Sequence, residues 1–322
     1  MKIRPLGRTG IEVSEIGFGA WGLGATMWRG VADDDALAAV RAAEAAGVTF
    51  IDTALAYGDG HSERLIARAR TTAVVATKIP PKDGAWPAAA ASKLADVFPA
   101  RYVREATETS LRNLDVDAIA VQQLHVWHDA WLDQTAWATT RSEMERLVAE
   151  GKVRHWGISI NDHEPGTALR ALVDPLFATA QVIYNIFDRS PERDLFDLAR
   201  EKGIGIIVRV PFDEGTLTGA IRADTRFPEG DWRHRHFRGD RRAEAARRAD
   251  ALVALLGDQA ATLPELALRF VLSRPEVSTV IPGMRRAEHV HANVAVSDGR
   301  PLDRALLESL KSHAWTKNWY RD

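Results

Sequence analysis

The chain contains no cysteine, and this absence excludes disulfide bonds, thiolate metal sites and a cysteine nucleophile. It also fits a reducing compartment. No stretch approaches the roughly 18 consecutive apolar residues that a transmembrane helix needs. The N-terminus, M-K-I-R-P-L-G-R-T-G, lacks the apolar segment of a signal peptide. These absences predict a cytoplasmic protein without a membrane partner.

Net charge is almost absent as well. The 322 residues include 42 Lys plus Arg and 44 Asp plus Glu, which gives a formal charge of -2. A charge so close to zero provides no electrostatic reason to expect a nucleic acid or an anionic membrane as partner. We therefore expect a small-molecule partner, and the sequence leaves the oligomeric state open.

Short runs rich in Val and Ile recur along the chain, with amphipathic segments of helical length between them. This alternation indicates repeated βα units. Eight runs are predicted as strands: 15–19, 49–52, 74–78, 118–125, 154–160, 180–185, 205–210 and 278–282. Eight such units, each strand followed by a helix, are the number that closes a parallel barrel. Since no linker divides the chain, we expect one (β/α)8 TIM-barrel domain over residues 1–322.

The two ends depart from this repeat. Residues 2–12 are predicted to form a β-hairpin that turns at G-R-T-G and caps the bottom of the barrel, and residues 302–313 an extra helix before an aromatic tail. Three connections are long, namely 79–100, 126–138 and 211–238. Because connections after the strands build the active face of a barrel, we expect these loops to face the substrate.

Residues 17–22, G-F-G-A-W-G, match the dinucleotide fingerprint G-x-G-x-x-G. A Rossmann fold would also need a helix that begins within the motif and an acid roughly 20 residues later. Here the chain continues into L-G-A-T-M-W-R-G, which has no helical pattern, and no acid ends a strand before Asp52. We therefore expect these glycines to let a loop pass close to a ligand.

Four polar residues lie at or just beyond the ends of the second, third and fourth predicted strands: Asp52, Tyr57, Lys78 and His125. In a parallel barrel these ends share one rim, so the side chains should converge. A buried lysine needs an anion, and Asp52 is the obvious candidate. The lysine cation should lower the pKa of Tyr57 and make it a usable proton donor. The alternative is a structural ion pair beside a loop tyrosine and a core histidine, which explains each residue singly better than all four together.

Five motifs occur along the chain in this order: F-I-D-T-A-L-A-Y-G, A-T-K, Q-L-H, G-I-S and I-P-G-M-R-R-A-E-H-V-H-A-N. Together they resemble the aldo-keto reductase family, and the resemblance covers essentially the whole chain. It implies reversible reduction of an aldehyde or ketone to an alcohol by direct hydride transfer, usually from NADPH. It implies Tyr57 as general acid, Lys78 tuning its pKa, Asp52 holding Lys78, and His125 orienting the carbonyl.

The residues that the resemblance implies for the nicotinamide match the family at some positions and depart from it at others. Ser159 and Gln181 match positions that hold the carboxamide, but Ile160 stands where the family often has Asn, so a role for Asn161 is undecided. Arg209 occupies the position of an aromatic residue that often stacks on the nicotinamide. A guanidinium can stack as well. The alternative for Arg209 is a rim salt bridge with a carboxylate such as Asp213.

The remaining cofactor contacts fall in two segments. Residues 211–219 match the segment that passes the pyrophosphate, mainly through backbone N–H groups because Asp213 and Glu214 would repel a phosphate. Arg285 is placed for the adenosine 2′-phosphate at a helix start, and its alternative is a solvated surface arginine. For NADP(H), the expected cofactor-binding residues are Ser159, Gln181, Arg209, Pro211, Phe212, Gly215, Leu217, Gly283, Arg285, His289 and Asn293.

Ten tryptophans are many for this length. Four on predicted rim loops are expected to wall the substrate pocket, with ordinary packing as the alternative for each: Trp21, Trp28, Trp86 and Trp127. His125 and His128 have a ligand-like spacing, but the other histidines are scattered along the chain, so no metal site is expected.

Three functions can be compared. The first is an NADPH-dependent carbonyl reductase, which could also run as an alcohol or sugar dehydrogenase. The second is a regulatory subunit that binds the cofactor with little turnover, as in the potassium-channel beta subunits that share this fold. A metal-dependent barrel hydrolase is disfavoured by the scarcity of suitably placed ligands. The physiological substrate and the preferred direction do not follow from the sequence.

Overall fold

The computed structural model describes residues 1–25, 32–315 and 317–320. Two short antiparallel strands open the chain, β1 (Ile3–Pro5) and β2 (Glu12–Ser14). Eight parallel strands follow, paired in chain order: β3 (Phe18–Gly19), β4 (Phe50–Asp52), β5 (Val74–Ile79), β6 (Ile119–Leu124), β7 (Val153–Ser159), β8 (Phe177–Ile183), β9 (Gly205–Arg209) and β10 (Val277–Val280). All eight predicted strands are present.

The sheet closes on itself between β10 and β3. The Gly17 N–H donates to the Val280 carbonyl at 2.8 Å, and the Gly19 N–H donates to the Pro282 carbonyl at 3.0 Å. A Cβ atom at Gly19 would lie 2.5 Å from the Ile281 carbonyl oxygen, so this approach requires glycine. The predicted barrel is confirmed, and this close approach of the glycine motif is to the barrel seam.

Helices cover the outside of the barrel: α1 (Asp33–Ala45), α2 (His61–Ala69), α3 (Leu94–Val97), α4 (Ala100–Leu114), α5 (Ala136–Ala149), α6 (Leu195–Lys202), α7 (Trp232–His236), α8 (Arg241–Val253), α9 (Leu263–Leu272), α10 (Ala287–Val294) and α11 (Arg304–Ser309). The sequence explains their ends. Three aspartates occupy the first turn of α1, where the helix dipole favours negative charge. The Thr262 side chain accepts a hydrogen bond from the Glu265 N–H and so caps α9. No described helix is both long and apolar enough to cross a membrane.

One connection departs from the predicted repeat. Between β7 and β8 the described chain forms two short 3-10 turns, Pro165–Ala168 and Ala171–Val173, in place of an α-helix. Gly166 and Pro175 bracket only a short stretch, glycine weakens a helix, and proline removes a backbone donor. The expectation that a helix follows every strand was therefore wrong at this position.

The predicted hairpin and the extra C-terminal helix are both present. The hairpin buries Leu6 and Val13 against Phe50, Val121 and Ile207 of the barrel interior. This apolar contact closes the end of the barrel opposite the carboxyl ends of the strands, where the polar residues lie. At the other end of the chain, α11 continues into a 3-10 turn, Leu310–His313, and then the aromatic tail.

Candidate active site

The barrel brings Asp52, Lys78 and Tyr57 into contact at one rim. Lys78 Nζ donates to Asp52 Oδ2 at 2.5 Å, to the Thr53 carbonyl at 2.8 Å and to the Tyr57 hydroxyl at 3.2 Å. Lys78 is 0% exposed and Asp52 is 2% exposed. Because the ammonium has three protein acceptors, including one anion, its charge is accommodated away from water.

His125 completes the group from the end of β6. Its ring centroid lies 5.8 Å from that of Tyr57 and 4.9 Å from that of Trp86, with edge-on geometry in both cases. Burial lowers the pKa of His125 well below its ordinary value, and the charges of Lys78 and Arg209 lower it further. The imidazole is therefore neutral at physiological pH and can donate one hydrogen bond to a carbonyl oxygen. Across the described residues, no group of three or more His, Asp or Glu side chains is placed to hold a metal ion.

The pKa of Tyr57 corrects one expectation. Burial raises it above the ordinary value, and the charge of Asp52 raises it further, while Lys78 and Arg209 act in the opposite direction. Lys78 thus lowers the pKa as expected, but burial outweighs the cation. The phenol consequently keeps its proton at neutral pH, which is the protonation state that a general acid requires.

Gln181 contacts Asp52 from the neighbouring part of the rim. Its Nε2 donates to Asp52 Oδ1 at 2.7 Å, and Nε2 of Gln123 reaches the same oxygen at 3.3 Å. Gln181 is paired in register with Ser159 across β7 and β8, so both residues stay at this rim. Sequence reasoning missed Gln123, although a buried glutamine beside His125 and Gln122 in an apolar strand is a signal for an inward-facing polar network.

Asn161, whose role was undecided, holds the long loop after β5. Its Oδ1 accepts from the Ala88 N–H at 3.1 Å, and its Nδ2 donates to the Ala88 carbonyl at 3.0 Å. Both amide groups are therefore engaged by one backbone position of the loop that carries Trp86. Asn161 therefore holds that loop in place.

Arg209 ends β9 and forms a salt bridge. Its Nη2 donates to Asp162 Oδ1 at 2.7 Å and to the Ile160 carbonyl at 3.0 Å. The partner is Asp162, not Asp213, because Asp213 is paired with Lys317 at 2.6 Å. The Nε atom of Arg209 is buried without a hydrogen-bond partner among the described residues. The charge of Arg209 also acts on Tyr57, so the two groups belong to the same end of the barrel.

The Arg285 side chain packs against Gly22, the last glycine of the G-F-G-A-W-G motif. A Cβ atom at Gly22 would lie 2.5 Å from Arg285 Cδ. Burial lowers the pKa of Arg285, and the charge of Arg233 lowers it further. Arg285 is therefore half-buried, unlike the fully solvated arginine of the alternative interpretation.

The other expected cofactor residues lie on the two predicted segments. Gly283 and His289 are exposed, whereas Asn293 of α10 is buried. In the segment after β9, Pro211 and Leu217 are buried, and Phe212 and Gly215 are partly exposed.

Two of the four tryptophans lie on the rim. Trp86 is 46% exposed beside His125, and Trp21 packs edge-on against Trp232 at 5.5 Å. Trp28 lies outside the described residues. Trp127 was wrongly assigned to the pocket.

Trp127 is fully buried in an aromatic cluster. Its ring centroid lies 5.5 Å from that of Trp131, 5.3 Å from that of Trp137 and 5.6 Å from that of Phe177. Its Nε1 donates to Asp129 Oδ1 at 3.0 Å. The cluster fills the layer between β8 and α5, so the ring faces away from the rim and walls no pocket.

The C-terminal tail reaches the segment after β9, a contact that sequence reasoning missed. The Tyr320 hydroxyl donates to Glu214 Oε1 at 2.5 Å. Burial raises the pKa of Glu214 to about 7, and the charges of Asp213 and Asp162 raise it too, against the Tyr320 hydrogen bond and the charge of Arg209. This carboxyl group therefore titrates close to neutral pH.

The titration of Glu214 predicts a pH-dependent stability. The pKa of Glu214 is about 7 in the folded protein and 4.5 in the unfolded chain. Between these two pH values the folded protein holds a proton that the unfolded chain has released. The stabilisation is present below pH 4.5 and is lost as the pH rises through about 7. Glu214→Gln keeps an oxygen acceptor but cannot ionise.

We expect Glu214→Gln to be more stable than wild type by about 2 to 3 kcal/mol near pH 8, and the gap to close towards pH 4.5. Urea unfolding of both proteins at several pH values measures this gap. Parallel stability curves would contradict the assignment.

Comparisons with known proteins extend over nearly the whole chain. The aldo/keto reductase family model matches residues 15–314. Aldo-keto reductase YhdN of Bacillus subtilis (strain 168) is 32% identical over 304 residues, which cover 91% of this chain and 87% of that protein. The NADH-specific methylglyoxal reductase of Escherichia coli (strain K12) is 29% identical, with 92% and 93% of the two chains covered. The glycerol dehydrogenase AKR11B4 from Gluconobacter oxydans has a similar structure, with a TM-score of 0.78 at 27% identity, over 97% of this chain and 94% of that one.

Proposed function

Because the chain belongs to the aldo/keto reductase family, we propose that it uses NADPH to reduce an aldehyde or ketone reversibly, with Tyr57 as general acid. The family consists of oxidoreductases that act on small carbonyl compounds with nicotinamide cofactors. The contact of Lys78 Nζ with both Asp52 and the Tyr57 hydroxyl is the observation that carries the proposal. This contact places a cation beside the phenol inside a buried site. The site belongs to what we propose is a single barrel domain.

Each of the four residues has a distinct task in this reaction. The carbonyl oxygen lies between the Tyr57 hydroxyl and the neutral His125 imidazole, which donates a hydrogen bond and orients it. The bound nicotinamide supplies the hydride. Tyr57 gives its proton to the developing alkoxide, and Lys78 stabilises the phenolate that remains. Asp52 holds the ammonium in place.

The residues at the rim fit a nicotinamide dinucleotide. Arg209 Nε and His125 Nδ1 are buried without hydrogen-bond partners in the described part of the chain, so the pocket contains polar atoms for a ligand. Ser159, Gln181 and Arg209 would surround the nicotinamide, and the segment from Pro211 to Gly219 would pass the pyrophosphate. The turn from Gly283 into α10, with His289 and Asn293, would take the adenosine end.

The choice between NADPH and NADH depends on Arg285 in this proposal. NADPH differs by a 2′-phosphate, which needs a cation at the adenosine ribose, and Arg285 is half-buried just before α10. The family alone does not decide the matter, since one relative is named as NADH-specific. The partly buried Arg285 cation, packed against Gly22, is the feature of this site that supports a preference for NADPH.

Replacing Arg285 with Ala tests this preference. Hydrogen bonds to charged groups contribute about 1.5 to 3 kcal/mol, so the dissociation constant of NADPH should rise by about tenfold or more and that of NADH should hardly change. Fluorescence titration measures both constants. Arg286→Ala is the matched control, because Arg286 is adjacent but exposed. Equal losses for both cofactors, or a wild type that prefers NADH, would contradict the role of Arg285.

A turnover assay tests the reaction itself. The purified protein should consume NADPH with small aldehydes and form the corresponding alcohols. If it bound the cofactor tightly yet turned over no aldehyde or ketone, and oxidised no alcohol or sugar, the regulatory-subunit alternative would replace the proposed function.

A further inference from the structure

The aromatic tail lies over the segment Pro211–Gly219. The Trp315 N–H donates to the Phe187 carbonyl at 2.9 Å, and Arg241 Nη1 donates to the Trp319 carbonyl at 3.4 Å. Lys317 lies between these anchors, with Nζ 4.6 Å from the Trp315 ring centroid and 4.9 Å from that of Trp319. Two aromatic rings thus confine the Lys317 ammonium.

The confined ammonium is directed at Asp213. Lys317 Nζ donates to Asp213 Oδ1 at 2.6 Å, and the two side chains are only 7% and 4% exposed. The backbone of Asp213 is left-handed, with φ of 48°, so the chain turns sharply where this carboxylate enters the interior. Its second oxygen, Oδ2, is buried without a hydrogen-bond partner among the described residues. The pair is therefore a desolvated ion pair between the tail and this segment.

Negative charge at this position is unfavourable for the proposed cofactor. In the proposed function the pyrophosphate passes the same segment, and a buried carboxylate would repel it. Glu214 faces the same difficulty, but its raised pKa of about 7 and its contact with Tyr320 allow it to be protonated. Asp213 has instead a lysine from the tail.

We propose that Lys317 is a positioning residue of the cofactor site, which neutralises Asp213 so that the segment Pro211–Gly219 accepts a dinucleotide pyrophosphate. The inference rests on the proposed function. It assigns a cofactor role to the aromatic tail, for which the sequence suggested none. Since the pyrophosphate is common to NADPH and NADH, the effect of Lys317 should be the same for both cofactors.

Removing one charge at a time separates this role from simple fastening of the tail. Lys317→Met leaves Asp213 unpaired, so the dissociation constants of NADPH and NADH should both rise by about tenfold. Asp213→Asn leaves a cation facing the phosphates, so affinity should stay the same or increase. The double variant has neither charge and should return to within about threefold of wild type.

Two further variants serve as controls. Lys317→Arg keeps the charge and should keep the affinity. Lys311→Met removes an exposed lysine paired with Glu308 on the preceding turn, and it should change nothing. Fluorescence titration gives the affinities, and thermal unfolding shows that each variant is folded.

The outcomes are distinct. Equal losses of cofactor affinity in Lys317→Met and Asp213→Asn would overturn the proposal. An ion pair that only holds the tail in place is lost whichever charge is removed. Unchanged affinity in Lys317→Met would overturn it as well, and so would failure of the double variant to recover. A wild type that binds neither NADPH nor NADH would refute the proposed function itself, whereas a wild type that binds both with the wrong pattern of variants refutes only the role of Lys317.

Discussion

Tyr57→Phe is expected to lower the rate of hydride transfer by about 10²-fold or more while NADPH still binds. The substitution keeps the ring, which lies edge-on to His125, and removes only the hydroxyl that receives the Lys78 hydrogen bond. Without that proton donor the developing alkoxide keeps only the hydrogen bond from the neutral His125 imidazole, which is a far weaker acid. Because the phenol is protonated at neutral pH, the loss concerns the proton itself and not a phenolate.

Single-turnover mixing of the NADPH complex with a good aldehyde measures the chemical step directly. Tyr102→Phe is the matched control, since Tyr102 lies on α4 and its hydroxyl donates to the Pro80 carbonyl at 3.0 Å and not to a residue of the ion pair. It should keep nearly full activity. A Tyr57→Phe rate within about threefold of wild type would refute the assignment of Tyr57 as the acid.

The barrel and the convergence of the four residues could be predicted because both follow from local pattern. Strands that are buried on both faces read as apolar runs, and a polar residue that ends such a run must lie at the rim. Asp52, Lys78 and His125 each satisfy that condition. The missing helix after β7 could also have been anticipated, since Gly166 and Pro175 are visible in the sequence.

Sequence reasoning failed where a side chain at the end of a strand can point either to the rim or to the helical layer. Trp127 follows a strand, and the residues after that strand could face either the rim or the helical layer. Its ring packs against Trp131 of the next turn, Trp137 of α5 and Phe177 of β8, a contact that the sequence does not show. The contact of the Gln181 amide with Asp52 was not predicted either, because the sequence does not show which side chains of different strands meet.

The direction of the Tyr57 pKa shift shows a limit of a different kind. The sequence identifies the cation next to the phenol but not the degree of burial, and burial is the larger cause. The same limit hid the tail. Lys317 and Tyr320 are ordinary in the sequence, and only the fold shows that they meet Asp213 and Glu214.

The buried ion pair gives the other large expected effect. Lys78→Met removes a fully buried cation and leaves the Asp52 carboxylate, among the residues that the structure describes, with two side-chain amide donors, Gln181 and Gln123. Breaking a buried pair in this way costs about 3 to 5 kcal/mol of unfolding free energy. Turnover should fall at least as far as in Tyr57→Phe, because the phenolate formed after proton transfer loses its neighbouring cation.

Adding Asp52→Asn to Lys78→Met separates the two consequences. The double variant buries no unpaired charge, so urea unfolding should show that most of the lost stability returns, whereas turnover should remain as low as in the single variant. Recovery of turnover together with stability would mean that Lys78 acts only through the integrity of the fold. If Lys78→Met were as stable as wild type, the desolvated pair between β4 and β5 would not be the anchor that its 2.5 Å contact indicates.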